Sequence, residues 1–357
     1  MKKSGLIIIA ALSVVASVLL ILTLIQQRKI ADLQQKVEQL SEPPVGVYRK
    51  LARGQEVSIL IVGDSIGASA GASPGHSWER LLTDWIYEEY AVRANVTNVS
   101  LGGTGSYAGY VQVMNLDDGV DYDLAIVCYG HNDSPEYLSE SYEAIIRALR
   151  AKYIYCDLIC VLQSSQRTYT DIINKIRELA DHYGIPQADT IAAFENSGHA
   201  YEELSTDGIH PNDLGYSLYF EEISRLIREG TDAFREYIRE DIAPLNPDMD
   251  EYERYYYVPY DQAVRSADGL SSQITFYAPL SGKPGLDYDR SGEGEVKIYI
   301  DDVPLCDEEL GWDDFGTAHF ISTLGHEPVS IEHSVRLEFT NAESSSKIHG
   351  LVFTDVK

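Results

Sequence analysis

Basic residues are scarce in this 357-residue chain: 28 Lys and Arg stand against 56 Asp and Glu, a formal net charge of −28. Such a surface repels phosphate backbones, which excludes nucleic acid as a partner and disfavours contact of the folded part with an anionic membrane surface. Cysteine is scarce as well. Cys128, Cys156 and Cys160 fall in or beside expected central strands and Cys306 lies in the tail, so the four do not form a disulfide framework. On one strand Cys156 and Cys160 would stand roughly 13 Å apart, beyond the ~7 Å Cα limit for a bridge. They read as buried free thiols. No His/Cys spacing matches a zinc site, and no metal is expected. Tyrosine, by contrast, is plentiful: 25 residues whose faces can pack on sugars as well as in cores.

Long apolar runs are also missing, with one exception. Residues 5–25 are uncharged and follow Lys2-Lys3. As a helix rising 1.5 Å per residue the run spans roughly 30 Å, enough for the hydrocarbon core of a bilayer. A cleaved signal peptide would carry a shorter apolar stretch and a small-residue cleavage site, which Gln26-Gln27-Arg28-Lys29 does not provide. A transmembrane signal anchor is expected over 1–25. Ile30, Leu33, Val37 and Leu40 then occupy heptad positions in a helical stalk over 26–44, a solvated stalk or a homodimer seam, which Pro43-Pro44 ends.

The folded part begins with Ser58-Ile59-Leu60-Ile61-Val62-Gly63-Asp64-Ser65, an apolar β-branched run that ends in Gly-Asp-Ser. This reads as a buried strand entering a tight turn. Further strands are expected near 96–101, 123–129, 157–163 and 188–193, with amphipathic helices near 78–86, 141–153, 171–183 and 211–228. Strands alternating with helices mean βαβ units and a parallel sheet. Loops after parallel strands project from one edge, so Ser65 can meet groups from far along the chain. A serine hydroxyl is a poor nucleophile until a base takes its proton, and Asp207-Gly208-Ile209-His210 supplies a base with a carboxylate three residues away. Gly63-Asp64-Ser65-Ile66-Gly67 also satisfies the G-x-S-x-G pattern of α/β-hydrolases. The serine here follows the first strand, however, and Asp and His lie too close together for that fold, so the match is read as coincidental.

Four blocks stand in order: Gly63-Asp64-Ser65, then Asn98-Val99-Ser100-Leu101-Gly102-Gly103, then Gly130-His131-Asn132-Asp133, then Asp207-Gly208-Ile209-His210. Over residues 56–229 they resemble the SGNH (GDSL-type) esterase and lipase superfamily. The resemblance implies a flavodoxin-like three-layer α/β/α domain, here assigned to 45–240, and an acyl-serine mechanism without cofactor. It implies Ser65, Asp207 and His210 as catalytic residues, and Ser65, Gly103 and Asn132 as the oxyanion hole. Gly103 is preferred to Gly102 because the family's spacing, counted from Asn98, lands there. His131 is expected to be a wall residue and Asp133 to bond within its own loop. His76 and His199 are loop residues that could touch substrate. The sequons at Asn95 and Asn98 fall in an expected buried strand and are read as chance.

Residues 241–262, rich in Pro, Asp and Tyr, read as a linker. From 263 to 357 short alternating strands with turns between them indicate a small β-sandwich, which loosely resembles the jelly-roll module of some SGNH carbohydrate esterases. The expected protein is therefore a membrane-anchored, extracytoplasmic serine esterase acting on an acylated carbohydrate or other ester, with acetyl groups on a cell-surface or secreted polysaccharide favoured. O-acetyl transfer through the same acyl-serine is the alternative. A non-catalytic glycan-binding or scaffold role is a further one, disfavoured by the intact Ser65, Asn132, Asp207 and His210.

Overall fold

The computed structural model describes residues 45–235 and 242–246, and most of 254–354; left out there are 268–271, 277–279, 312–316, 326–328, 332–333, 340–343 and 345–346. Before residue 45 only Thr23, Gln26, Gln27 and Lys29 are described, so the anchor and stalk lie outside the described residues. Among the described residues, no helix is long and apolar enough to cross a membrane. Gly46–Lys357 form one compact unit.

The first half alternates strands and helices: α1 (Val47–Ala52), β1 (Val57–Gly63), α2 (Trp78–Tyr90), β2 (Ala94–Asn98), α3 (Ser106–Asn115), β3 (Leu124–Cys128), α4 (Leu138–Lys152), β4 (Asp157–Leu162), α5 (Asp171–His182), β5 (Gln187–Asp189), α6 (Thr190–Asn196) and α7 (Asp213–Asp232). Side-chain oxygens of Ser77, Thr170 and Asn212 accept backbone N–H bonds at the starts of α2, α5 and α7, satisfying donors that a helix leaves unpaired. The strands form one sheet in the order β2-β1-β3-β4-β5, parallel throughout.

Both faces of that sheet are covered, which is why its central strands are unbroken apolar runs. Ile59 and Ile61 of β1 face Leu51, Trp78, Leu82, Ile86, Tyr219 and Ile223 from α1, α2 and α7. Leu60 and Val62 face the opposite layer, with Val111, Tyr142, Ile145, Leu149, Ile173 and Ile176 from α3, α4 and α5. Cys128, Cys156 and Cys160 are buried free thiols, and Cys306 is a free, half-buried one. Strand β2 departs from expectation. It is an edge strand with Asn95 and Asn98 exposed, because among the described residues no strand pairs on its outer side.

The tail is all β: β6 (Tyr255–Pro259), β7 (Val264–Ala267), β8 (Ser272–Phe276), β9 (Leu280–Arg290), β10 (Glu295–Ile300), β11 (Val303–Glu309), β12 (Ala318–Thr323), β13 (Val329–Ile331), β14 (Val335–Phe339) and β15 (Ile348–Thr354). One sheet runs β11-β10-β14-β8-β7 and the other β12-β9-β15-β6, with β13 also on β9. Ile274, Val296, Ile298 and Leu337 from the first meet Leu286, Tyr288, Leu351 and Phe353 from the second in one apolar cluster, the core of a β-sandwich. The expected linker over 241–262 is only partly that. Its Tyr255-Tyr256-Tyr257-Val258-Pro259 pairs with β15, since aromatic and β-branched residues suit a half-buried strand, and Pro259 sits at the strand's end where its missing N–H is tolerated.

The module packs on the hydrolase half. Ile321 and Val352 join the α3–α4–α5 apolar layer, and Tyr255 meets Tyr110 edge-on with ring centroids 5.9 Å apart. The connecting stretch is held by Glu143, fully buried on α4. Its carboxylate accepts the N–H groups of Leu245 (2.6 Å) and Asn246 (2.9 Å) and the Tyr183 hydroxyl (2.5 Å).

Candidate active site

The sheet order reverses beside β1: the chain places β2 on one side of it and β3 on the other. Loops leaving β1 and β3 therefore diverge at their carboxyl ends and open a crevice, the usual ligand site of such a sheet. Ser65 follows β1 and Gly130-His131-Asn132-Asp133 follows β3. The turn after β1 is tight. A Cβ on Gly63 would lie 2.7 Å from the Cys128 carbonyl oxygen, and one on Gly67 would lie 2.6 Å from Ser100 Oγ. Both positions therefore require glycine, which accounts for the literal G-x-S-x-G string without an α/β-hydrolase fold.

Three side chains close on one another. His210 Nε2 lies 2.8 Å from Ser65 Oγ, and His210 Nδ1 lies 2.7 Å from Asp207 Oδ2. The other carboxylate oxygen, Asp207 Oδ1, accepts the backbone N–H groups of Ile209 (2.9 Å) and His210 (2.8 Å). The three-residue spacing thus folds Asp207 back onto its own loop while leaving one oxygen for the imidazole. Partial burial pushes the Asp207 carboxyl up. The hydrogen bonds from the His210 ring and from the two backbone N–H groups outweigh it and hold the pKa down at about 2. The Asp207 carboxylate is therefore ionised at neutral pH, the condition for orienting the imidazole and stabilising its cation.

Residues 61–218 match the GDSL-like lipase/acylhydrolase family. The chain carries a GDSL-type acylhydrolase domain. No curated protein matches its sequence. Among solved structures, this acylhydrolase is similar to a two-domain esterase (CEX) active on acetylated mannans, co-crystallised with mannopentaose. The TM-score is 0.70 at 18% identity, over 87% of this chain and 94% of that one. A second structure of the same esterase gives 0.70 at 17%, with the same coverage. These likenesses establish the architecture, a parallel-sheet hydrolase followed by antiparallel β-sheets.

The two loop residues expected as oxyanion donors, Gly103 and Asn132, share one cavity. Gly103 is exposed and adopts φ +75°, a left-handed conformation suited to glycine. Asn132 is exposed, its Nδ2 donating to the Thr104 carbonyl at 3.1 Å, which ties the β3 loop to the β2 loop. Gly103 and Asn132 both line a cavity of about 270 Å³ whose far wall is Lys283 of β9 and Phe320, Ile321, Ser322 and Thr323 of β12. Asp133 does more than brace its own loop. Its Oδ1 accepts Ser106 N (2.8 Å) and Ser106 Oγ (2.6 Å), pinning the start of α3. His131 is half-buried; its backbone N–H donates to Gln163 Oε1 at 2.7 Å. Among the described residues its Nδ1 has no partner. Burial, reinforced by His210 nearby, lowers its pKa, so the ring beside the triad is neutral at pH 7. The contacts of His76 and His199 run to Ser73, Asp213 and Glu203 rather than to the triad.

Two positioning residues escaped the sequence reading. Gln163, fully buried after β4, donates from Nε2 to Asp64 Oδ1 (2.9 Å), Asp64 Oδ2 (3.0 Å) and the Cys128 carbonyl (3.1 Å). With Oε1 on His131 it clamps the serine turn to the β3 loop. Asp64 is itself fully buried, and that burial raises its pKa to about 7, with Gln163 and the Ile66 N–H opposing the rise. Arg167 is the other. It sits at φ +60°, with its guanidinium 4.1 Å from the Tyr201 ring centroid and Nη2 3.4 Å from the Gly208 carbonyl in the Asp207 loop. The one signal for Gln163 was a polar residue ending an apolar strand.

Proposed function

We propose that this acylhydrolase removes O-acetyl groups from a polysaccharide outside the cell. The observation that carries the reading is the Ser65–His210–Asp207 relay, together with a cavity that the expected oxyanion donors Gly103 and Asn132 share with the β-module. Such a cleft suits a sugar unit lying against Gly103 and Asn132, and the Phe320 ring on its wall suits a sugar's face. The likeness to an esterase whose substrate is acetylated mannan supports an acetylated hexose polymer.

In the proposed reaction His210 Nε2 takes the Ser65 proton as Oγ bonds to the acetyl carbonyl carbon. The oxyanion receives the Ser65 and Gly103 backbone N–H groups and the Asn132 amide. The intermediate collapses as the bond to the sugar oxygen breaks, and the imidazolium returns its proton to that oxygen. Water, deprotonated by His210, then attacks acetyl-Ser65; as the bond from the acetyl carbon to Oγ breaks, the imidazolium returns the proton to Ser65 Oγ and acetate leaves. Asp207 holds the ring and offsets its transient charge in both halves.

Incubating the protein with acetylated mannan tests this. Free acetate should appear, and Ser65→Ala should abolish it with the circular dichroism spectrum unchanged. If added unacetylated oligosaccharide becomes acetylated faster than acetate forms, the protein is a transferase. The uncharged run at 5–25 supports a single-pass anchor with the catalytic part extracytoplasmic, and the heptads at 30–40 support a homodimer through the stalk. Fractionation should find the intact chain with membranes; a free chain beginning near Gln26 would overturn the anchor.

A further inference from the structure

Three strands of the β-module bring together groups that the sequence keeps far apart. Asp287 on β9, His319 on β12 and His349 on β15 present ligand atoms within 4.8 Å of one another. His319 Nε2 is 2.5 Å from Asp287 Oδ1, and His349 Nε2 is 2.9 Å from Asp289 Oδ1. The two imidazole centroids are 5.2 Å apart. Register explains the meeting. Asp287 and Asp289 share a face of β9, where His319 lies opposite Asp289 and Ile321 opposite Asp287. On the other flank the pairing slips between Ile348 and Gly350, leaving His349 as the extra residue of a bulge. Such a bulge re-aims one side chain, here an imidazole, toward the carboxylates.

We propose that Asp287, His319 and His349 bind a divalent transition-metal ion, with zinc the fitting representative. Two imidazoles and one carboxylate suit zinc and its first-row neighbours, and are too nitrogen-rich for calcium or magnesium. Tetrahedral donors at about 2.0–2.2 Å from an ion stand roughly 3.3–3.6 Å apart. Ligand atoms now within 4.8 Å of one another therefore close by at most roughly 1–1.5 Å, while the His319–Asp287 pair, at 2.5 Å, opens to admit the ion. The outer support already exists. The Asp287 side chain is 6% exposed, and its Oδ2 accepts the Tyr257 hydroxyl at 2.8 Å, leaving Oδ1 for the ion, an arrangement that orients a ligand from behind. The His319 and His349 side chains are 38% and 43% exposed, so the ion can enter from solvent and a fourth position stays open to water.

The consequence is mechanical. The ion cross-links β12, β9 and β15, and His319 immediately precedes Phe320, the first of the β12 residues walling the cavity beside Gly103 and Asn132. It therefore fixes that wall. The inference stands on the module's own residues, independently of the reaction assigned to Ser65.

The test uses the full chain, stripped of metal by chelator and titrated with zinc chloride by calorimetry, with bound zinc counted by elemental analysis. We expect one zinc ion per chain and a rise in the unfolding temperature on adding zinc. The His319→Gln and His349→Gln variants each lose at least tenfold in affinity and the double variant loses the thermal shift, while His182→Gln, at an exposed imidazole elsewhere, changes neither. Hydrolysis of a nitrophenyl ester by the variants, and an unaltered circular dichroism spectrum, confirm that they fold. Cobalt provides a second readout, since its visible absorption reports nitrogen and oxygen ligation directly. If the wild-type chain takes up no zinc, or the double variant takes it up as well as wild type, the cluster is a hydrogen-bonded imidazole–carboxylate array only.

Discussion

Replacing Gln163 by Leu tests how the two catalytic loops are held. The side chain is fully buried and of similar size to leucine, so the change removes hydrogen bonds without opening a large cavity. Three bonds to Asp64 and Cys128 are lost from Nε2, and one from the His131 N–H at Oε1. Two of the stranded partners matter most: the His131 N–H, left without its acceptor, and the Asp64 carboxyl, left with the Ile66 N–H at 2.8 Å but without the Gln163 amide, each costing about 1–3 kcal/mol. Together a loss of about 3–5 kcal/mol follows, a fall in Tm of roughly 6–20 °C for a domain of this size. The effect grows with pH. The folded-state Asp64 carboxyl already titrates near 7, raised by burial above its ordinary value of 3.8. Its contribution to stability is thus fully present below 3.8 and declines as pH rises toward 7. Removing Gln163, which opposes that rise, moves the window upward. The difference in stability between variant and wild type should therefore widen between pH 6 and 8. Turnover of nitrophenyl acetate should fall about tenfold to a hundredfold, because the serine turn and the Asn132 loop lose their common clamp. Thermal and urea unfolding at pH 6 and 8, with kcat measured alongside, supply the comparison. A double-mutant cycle with Asp64→Asn should give coupling of about 1–3 kcal/mol. An unchanged midpoint, or a cycle with no coupling, refutes the clamp.

The remaining expectations are brief. Asp207→Asn should lower kcat by about 10³–10⁴-fold with the fold retained, as a carboxylate that fixes an imidazole tautomer does elsewhere; a loss under tenfold in steady-state assays would show that the carboxylate is dispensable. Because Asp207 is held down at about 2, it favours folding above its ordinary 3.8 and loses that contribution as pH falls toward 2. Acid unfolding followed by circular dichroism should accordingly begin at higher pH once Asp207 is replaced. Glu143→Ala should cost about 2–4 kcal/mol, since it strands two backbone N–H groups and the Tyr183 hydroxyl, and limited proteolysis should then cut near 242–246; equal resistance would count against the tether. Phe320→Ala should raise KM for acetylated mannan while leaving nitrophenyl acetate hydrolysis within twofold, and parallel losses on both substrates would remove the wall from substrate binding.

The sequence by itself determined the layered hydrolase half and singled out the Ser65, Asp207 and His210 side chains that meet in it. Apolar runs on β1, β3 and β4 must be buried on both faces, and strands alternating with helices admit little besides a parallel sheet. Ser65, Asp207 and His210 were legible because local geometry does much of their work. A tight turn needs Gly63 and Gly67, and a three-residue spacing folds Asp207 onto the loop that carries His210. Short-range rules of this kind survive without tertiary context. The tertiary structure alone decided the rest. Gln163 joins two loops across 99 and 32 residues of chain, to Asp64 and His131, and no periodicity reports a partner that distant. Tyr255–Pro259 looked like linker composition until β15 offered it an edge to pair with. The Asp287–His319–His349 cluster is spread over three strands and depends on one bulge in β15. A one-residue change of register moves a side chain to the opposite face, so no reading of spacing along the chain could have put those three together.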